Sequence, residues 1–394
     1  MRPNINSFSA RLQLEICGGF GQHFNPGGAK LCAAQVRIRL LSRSAFPMMA
    51  PPGGVVGGWS MTWEPLLDQL ASDRTSGAQE LTRLVSLLLS RYLRGDTTEE
   101  GCAERLRSLT KRILDAQPAM APIITLLNHV WLKLEQIGGL AAARSAIAAE
   151  LEQMSLETEL RLDRIAEICS DRLPEGSVIL AHSYSSTVLR ALLSAHEAGK
   201  GIRILCSEGR PALEGIRLAE ALAAAAAPVQ LCADAALPGL VGEADLVLVG
   251  ADAVVEAGAI NKIGTYPLAL AAKATGRPFY IAASLNKLLP PSLEPLLRIP
   301  DRPPGEIWEG KFEKLKVYNR YFEVTPLSMI TGVITEEGLW SIRKLRPALS
   351  KTPASATMAH LAQEEAANTH PSSMRAPVAP TPAGDDRPSR SMDF

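Results

Sequence analysis

Residues 177–206, SVILAHSYSSTVLRALLSAHEAGKGIRILC, decide the fold. Ser177–Ala181 is a short, nearly continuous apolar run. Ser185–Ala198 follows with apolar residues at three- and four-residue spacing. Ile202–Cys206 is apolar again. A short apolar run bounded by turn residues reads as a strand buried on both faces, and the longer periodic segment reads as an amphipathic helix. Strand, helix, strand in this order predicts a parallel sheet.

The same alternation continues toward the C-terminus. Further strands are expected at Val229–Cys232, Asp245–Val249 and Pro278–Ala282, and further helices at Pro211–Ala226 and Tyr266–Thr275. The Ala221–Ala227 run reads as the end of a helix packed tightly on the sheet, because Ile216, Leu218 and Leu222 keep one apolar face going. Upstream the period changes. Leu81, Leu84, Val85, Leu88, Leu89 and Tyr92 make one helical stripe, and Ile123, Leu126, Leu127, Val130 and Leu134 make another. The expected fold class is α/β: a helical N-terminal domain over residues 61–170, then a doubly wound, mostly parallel, Rossmann-like domain over 171–348.

The ends differ from this body. Residues 1–60 are basic, lack periodicity and close on Pro51-Pro52-Gly53-Gly54. They read as a disordered extension or as a start placed too early, with the functional start near Met61. A targeting arm is the alternative, since arginines with almost no acid fit a transit peptide loosely. Residues 349–394 are rich in Pro, Ala, Ser and Thr, and are expected to form a disordered tail.

Composition narrows the function. Forty-one basic and 41 acidic residues give a net charge of +0, so no overall field attracts nucleic acid or anionic lipid. With aromatics at 5% and no basic stripe, a nucleic-acid partner is not expected. No apolar run is long enough to span a bilayer and no secretory leader is recognisable, so a cytoplasmic location is expected. Six scattered cysteines without a CxxC pair predict neither a zinc site nor a disulfide framework, and no metal or organic cofactor is implied.

Ligands of open parallel sheets bind beyond the carboxyl ends of the strands. Polar residues follow every expected strand here: His182 and Ser183, then Glu208 and Arg210, then Asp234, then Asp252 with Asn261 and Lys262, then Ser284 and Lys287. Arg210 is a phosphate candidate, because a guanidinium grips phosphate through two parallel hydrogen bonds and Pro211 opens a helix beside it. In Asn261-Lys262-Ile263-Gly264-Thr265, Thr265 reads as a helix N-cap, Lys262 brings a point charge and Gly264 permits close backbone approach. Asp252 is an acid–base candidate, weighed evenly against an aspartate that bonds its own turn. His182 is either a ligand contact or a hydrogen-bonded core histidine. Adjacent in an extended segment, His182 and Ser183 point apart and form no Ser–His pair.

These residues carry a resemblance. Ile179 to Arg190 is similar to the alpha subunit of eukaryotic initiation factor 2B. Ser207-Glu208-Gly209-Arg210-Pro211, then Gly250-Ala251-Asp252 with Ile260 to Thr265, resemble further segments of the initiation factor 2B family. So do Asn319 to Pro326, Ile334 to Gly338, and Ser76-Gly77-Ala78 near the N-terminus. The likeness spans roughly Met61 to Arg346. The family holds methylthioribose-1-phosphate and ribose-1,5-bisphosphate isomerases as well as regulatory initiation factor subunits. The resemblance implies a phosphorylated sugar or nucleotide as ligand and a homo-oligomer, dimer or larger. It implies Asp252 and Ser183 as catalytic positions. It implies Arg210, Asn261, Lys262, Gly77, Ala78, His182 and Lys287 as ligand contacts. Ser183 stands where the isomerases have a cysteine, and a hydroxyl is a far weaker acid than a thiol of pKa about 8.5. The segment Ser284-Leu285-Asn286-Lys287-Leu288 keeps only its lysine. The expected function is an aldose–ketose isomerase of a phosphorylated pentose; the alternative is a non-catalytic sensor subunit in translation initiation.

Overall fold

The computed structural model describes residues 62–73, 76–95, 101–137, 140–310 and 312–368. The reading of residues 1–60 falls outside them, as does that of 369–394. No helix among the described residues is long and apolar enough to cross a membrane.

Five helices open the chain: α1 (Glu64–Ser72), α2 (Ala78–Arg94), α3 (Cys102–Ala116), α4 (Ala121–Ile137) and α5 (Leu140–Arg172). The two predicted stripes drive their packing. Leu81, Val85, Leu88, Leu89 and Tyr92 of α2, and Ile123, Leu126, Leu127, Val130 and Leu134 of α4, are all buried in one core. Helix α2 starts at Gly77, whose N–H donates to Glu80 Oε2 at 3.2 Å, satisfying one orphan donor of the first turn.

Helix α5 crosses the expected domain boundary. Its last turns bury Ile165, Ala166, Ile168 and Cys169 in the core of the sheet that follows. The sheet holds β1 (Val178–Ala181), β2 (Arg203–Ser207), β3 (Val229–Cys232), β4 (Leu246–Val249), β7 (Phe279–Ala282), β9 (Gly332–Thr335) and β10 (Gly338–Trp340). Its order is β10-β9-β7-β4-β1-β2-β3, parallel except for β10. All five predicted strands are present, each within one residue of its expected bounds. Helices α6 (Ser186–Glu197) and α7 (Glu214–Ala224) cover one face, while α8 (Thr265–Thr275) and α9 (Ile342–Lys351) cover the other. The doubly wound expectation holds. A second, antiparallel sheet of β5 (Ala253–Val254), β6 (Ala259–Lys262) and β8 (Phe322–Thr325) was not expected.

Three local expectations are corrected. Helix α7 begins at Glu214, not Pro211, because Leu213 adopts a left-handed φ of 59° and ends a turn there. Its alanine-rich end is not packed on the sheet: Ala223 to Ala226 are exposed, and burial in that stretch falls on Leu222 and Ala227. Thr265 is the first residue of α8 rather than its cap. Its hydroxyl donates to the Lys262 carbonyl at 2.6 Å.

The disordered-tail expectation also fails over its first part. Helix α10 (Ala356–Asn368) buries Met358, Leu361 and Ala362 in the helical core. Asn128 fixes the turn before it, donating to the Pro353 carbonyl and accepting from the Ser355 N–H. Glu135 accepts the N–H groups of Ala356 and Thr357, the first donors of α10. A few well-placed apolar residues and a satisfied N-terminus order a segment whose average composition suggests otherwise.

Candidate ligand cleft

A cleft opens at the carboxyl ends of β1 and β4, where the N-terminus of α2 meets them. About 840 Å³ of space lies within and in front of it, open solvent at its mouth included. Of the predicted residues, Gly77, Ala78, Ser183, Asp252, Asn261 and Lys287 line it. Arg210, His182 and Lys262 do not.

Asp252 follows β4. Its backbone N–H donates to the Ile260 carbonyl at 2.8 Å, and its own carbonyl accepts from Ala121 N–H at 3.2 Å. The residue is thereby tied to both β6 and α4. Burial pushes its carboxyl up to about 6; the charge of Lys287 works against this shift and that of Glu214 adds to it. Lys287 is itself buried, with its ammonium donating to the Ala251 carbonyl, and burial lowers its pKa while Asp252 opposes the shift.

Ser183 follows β1 with a left-handed φ of 65°. Its hydroxyl donates to Glu214 Oε1 at 3.0 Å. Lys262 pairs with the same oxygen, its Nζ 2.7 Å away, and its side chain is 2% exposed. Its ammonium also sits 5.0 Å from the centre of the Tyr321 ring. The expected phosphate lysine is therefore committed to an ion pair behind the cleft wall. Asn261 donates to Thr265 Oγ1 at 3.0 Å.

His182 is the core histidine of the two readings. Its Nε2 donates to the Ile263 carbonyl at 2.8 Å, and Nδ1 meets Ser207 Oγ at 2.8 Å. Both ring nitrogens are used, and burial lowers its pKa. Gly264 permits a close approach, as expected, but the group approached is His182: a Cβ there would lie 2.8 Å from Nε2.

Arg210 is exposed, and its backbone N–H donates to Asp234 Oδ2 at 2.6 Å. Burial would raise the Asp234 carboxyl. Hydrogen bonds from Ser207 and from the N–H groups of Arg210 and Gly209 outweigh it and hold the group below its ordinary value. The guanidinium that lines the cleft is that of Arg217, which also lies 4.6 Å from the Tyr184 ring centre.

Sequence reasoning missed Glu214, Arg217, Gln79 and Tyr321, all cleft-lining. Both polar atoms of the Gln79 side chain are buried without a hydrogen-bond partner among the described residues. Glu214 and Arg217 belong to the first turns of α7. They face the cleft because α7 starts late and close against β2: a Cβ on Gly215 would meet the Ser207 carbonyl oxygen at 1.8 Å. The Gly-Arg-Pro segment before them carried a legible signal; the two helix residues behind it did not.

The cleft thus holds two carboxylates, several serine and tyrosine hydroxyls, a buried ammonium and a guanidinium around an open space. Such a set can bind an anion and move protons.

Known proteins share this arrangement of elements. An eIF-2B subunit 2-like protein of Pyrococcus furiosus is 31% identical over 70% of this chain and 94% of its own. A ribose 1,5-bisphosphate isomerase of Archaeoglobus fulgidus is 30% identical over 69% of this chain and 87% of its own. The crystal structure of translation initiation factor eIF-2B from Pyrococcus horikoshii superposes with a TM-score of 0.61 at 25% identity, covering 72% of this chain and 98% of that one. The sequence model of the Initiation factor 2 subunit family matches residues 72–342, more than half of the chain, and the chain belongs to that family.

Proposed function

We propose that the cleft binds a phosphorylated pentose and interconverts its aldose and ketose forms, with a substrate of the ribose 1,5-bisphosphate or methylthioribose 1-phosphate type. The observation that carries this reading is Asp252: a carboxyl pushed up to about 6, in a cleft that also presents Ser183 and Lys287. A general base works best with a pKa near the working pH, where it is ionised yet still basic. A family relative that is a ribose 1,5-bisphosphate isomerase supports the reaction class.

Aldose–ketose conversion moves one hydrogen between adjacent carbons. The sugar opens by cleavage of C1–O4, with O4 gaining a proton and O1 keeping its phosphate; Asp252 then takes the proton from C2 and the C1–C2 double bond forms. The enediol then loses the proton on O2 as C2 becomes the carbonyl, and Asp252 returns its proton to C1. Ser183 hydrogen-bonds the sugar oxygens during this exchange. The first turn of α2 at Ala78 and Gln79, next to Gly77 whose own N–H is held by Glu80, offers N–H groups to the phosphate, and Arg217 adds positive charge. Arg217 takes the part foreseen for Arg210.

A second reading is a sensor that binds the same ligand class without turnover. Ser183 favours it, because its hydroxyl is spent on Glu214 and is a weak acid where the isomerases carry a thiol. Incubating the protein with each sugar phosphate and following ketose formation by proton NMR separates the two. Conversion that is lost in Asp252→Asn supports the isomerase. Binding without conversion over hours rejects it in favour of the sensor.

A further inference from the structure

We infer that His182, Ser207 and Asp234 form a buried relay that is complete only when it takes up one proton, and that this relay positions the start of α7 on the cleft wall. Its members come from three neighbouring strands: His182 follows β1, Ser207 ends β2 and Asp234 follows β3. At one end, His182 Nε2 lies 2.8 Å from the Ile263 carbonyl. A carbonyl only accepts, so Nε2 carries a hydrogen in both charge states of the ring. In the middle, Nδ1 lies 2.8 Å from Ser207 Oγ. The same hydroxyl reaches the Asp234 carboxylate. At the other end, Asp234 Oδ1 accepts from Gly209 N–H at 2.9 Å and Oδ2 from Arg210 N–H at 2.6 Å. Those two residues open the turn that delivers α7. The Gly209 carbonyl accepts from Leu213 N–H at 2.8 Å, and Glu214 and Arg217 of the following helix line the cleft.

Counting hydrogens gives the device. With His182 neutral and Asp234 ionised, the Ser207 hydroxyl has one hydrogen and two claimants. It goes to Nδ1, because turning it to Asp234 would leave two lone pairs facing each other at 2.8 Å. Asp234 then keeps its two backbone donors and lacks the third. One added proton completes both contacts: Nδ1–H donates to Oγ, and Oγ–H donates to Asp234. His182 and Ser207 are 3% and 0% exposed, so solvent offers no easy substitute for either bond. The groups around the ring set when this happens. Asp234 and Glu214 favour the charged imidazole, Lys262 opposes it, and burial outweighs them and lowers its pKa. Next to Asp234, the Cys232 thiol is raised by burial and then by Asp234 and Glu208, so it adds no charge. At neutral pH the relay therefore lacks its proton, and it closes on acidification.

The test needs no ligand, so its failure leaves the sugar-phosphate reading untouched. Full-length protein labelled with nitrogen-15 in histidine, glycine and arginine is titrated with acid and followed by NMR. The His182 ring is expected to carry its hydrogen on Nε2 at neutral pH and to gain the second with a midpoint below the ordinary value of about 6.5. The amide signals of Gly209 and Arg210 are expected to shift with that same midpoint, which a ring that merely fills space would not produce. Ser207→Ala is expected to lower the midpoint by about one pH unit, since the imidazolium loses its acceptor and its link to Asp234. A plain Oγ–H to Nδ1 bond predicts the opposite sign, because only the neutral ring would lose a bond. A raised midpoint, amide signals that ignore the ring, or a ring that stays neutral until the protein unfolds would each overturn the relay. The amide titration of the unaltered protein decides the matter even if Ser207→Ala does not fold.

Discussion

Lys262 and Glu214 form an ion pair of 2.7 Å between the end of β6 and the first residue of α7, with the lysine side chain 2% and the glutamate 18% exposed. Breaking a buried pair by removing one member leaves an uncompensated charge and costs about 3–5 kcal/mol. Lys262→Met is therefore expected to lower unfolding stability by roughly that amount in urea titrations. The double variant Lys262→Met/Glu214→Gln is expected to regain much of it, because no lone charge remains. A single variant as stable as the parent would show that water reaches the glutamate freely.

The coupling of Asp252 to Lys287 sets the expected pH profile. Asp252 lies above its ordinary value, at about 6, and the positive charge of Lys287 keeps it from rising further. If Asp252 is the base of the proposed isomerisation, it acts only when ionised, and kcat/KM should rise with pH through an apparent pKa near 6 and then level off. Lys287→Met removes the charge that favours the ionised form, so this limb should move to higher pH. Asp252→Asn should remove the limb and lower the rate about 10²–10⁴-fold. A limb that ignores Lys287→Met would assign the titration to another group.

How much of this was legible can be traced to particular residues. The parallel strands were read to within a residue because runs such as Leu246–Val249 are buried on both faces and so apolar throughout. The small sheet was missed because β6 and β8 carry Asn261, Lys262 and Glu323, polar side chains whose burial is made tolerable by partners distant in sequence: Glu214 for Lys262, and the N–H groups of Gly264 and Tyr266 for Glu323. The site was half legible. Residues directly after strands could be named, since topology places them. Placing the helix start at Pro211 singled out Arg210, whereas the turn through Leu213 moves the start to Glu214 and brings Arg217, one turn later, to the cleft. That turn depends on a left-handed φ at a leucine, which no residue preference announces.

Gly264 couples the cleft to the strand ends behind it. Its φ of +105° is open to glycine, and a Cβ there would press on His182 Nε2 at 2.8 Å. Gly264→Ala combines backbone strain with the displacement of a histidine whose two nitrogens are both bonded. A loss of about 3 kcal/mol in chemical denaturation is expected. His182→Ala alone leaves Ser207 and the Ile263 carbonyl without their partner, and adding Gly264→Ala to it should then cost clearly less than in the parent. Equal costs in both backgrounds would place the strain in the backbone alone.

Helix α10 makes the final prediction, because it ties a segment of unpromising composition to the helical core. Met358 is 0% exposed and Leu361 3%, in the core shared with α4 and with Leu293, Leu296 and Leu297. Truncating a fully buried methionine to alanine costs about 2–5 kcal/mol, the transfer term plus the cavity left behind. Met358→Ala should therefore lower stability by about 3 kcal/mol. Asn128→Ala, which frees the Pro353 carbonyl and the Ser355 N–H at the entrance to α10, should cost about 1–3 kcal/mol. Deleting everything after residue 351 should exceed either loss, since it removes Met358, Leu361 and Ala362 together and leaves their apolar partners in water. Urea unfolding of the three variants checks the order. A deletion variant as stable as the parent would mean that α10 rests on the core without contributing to it.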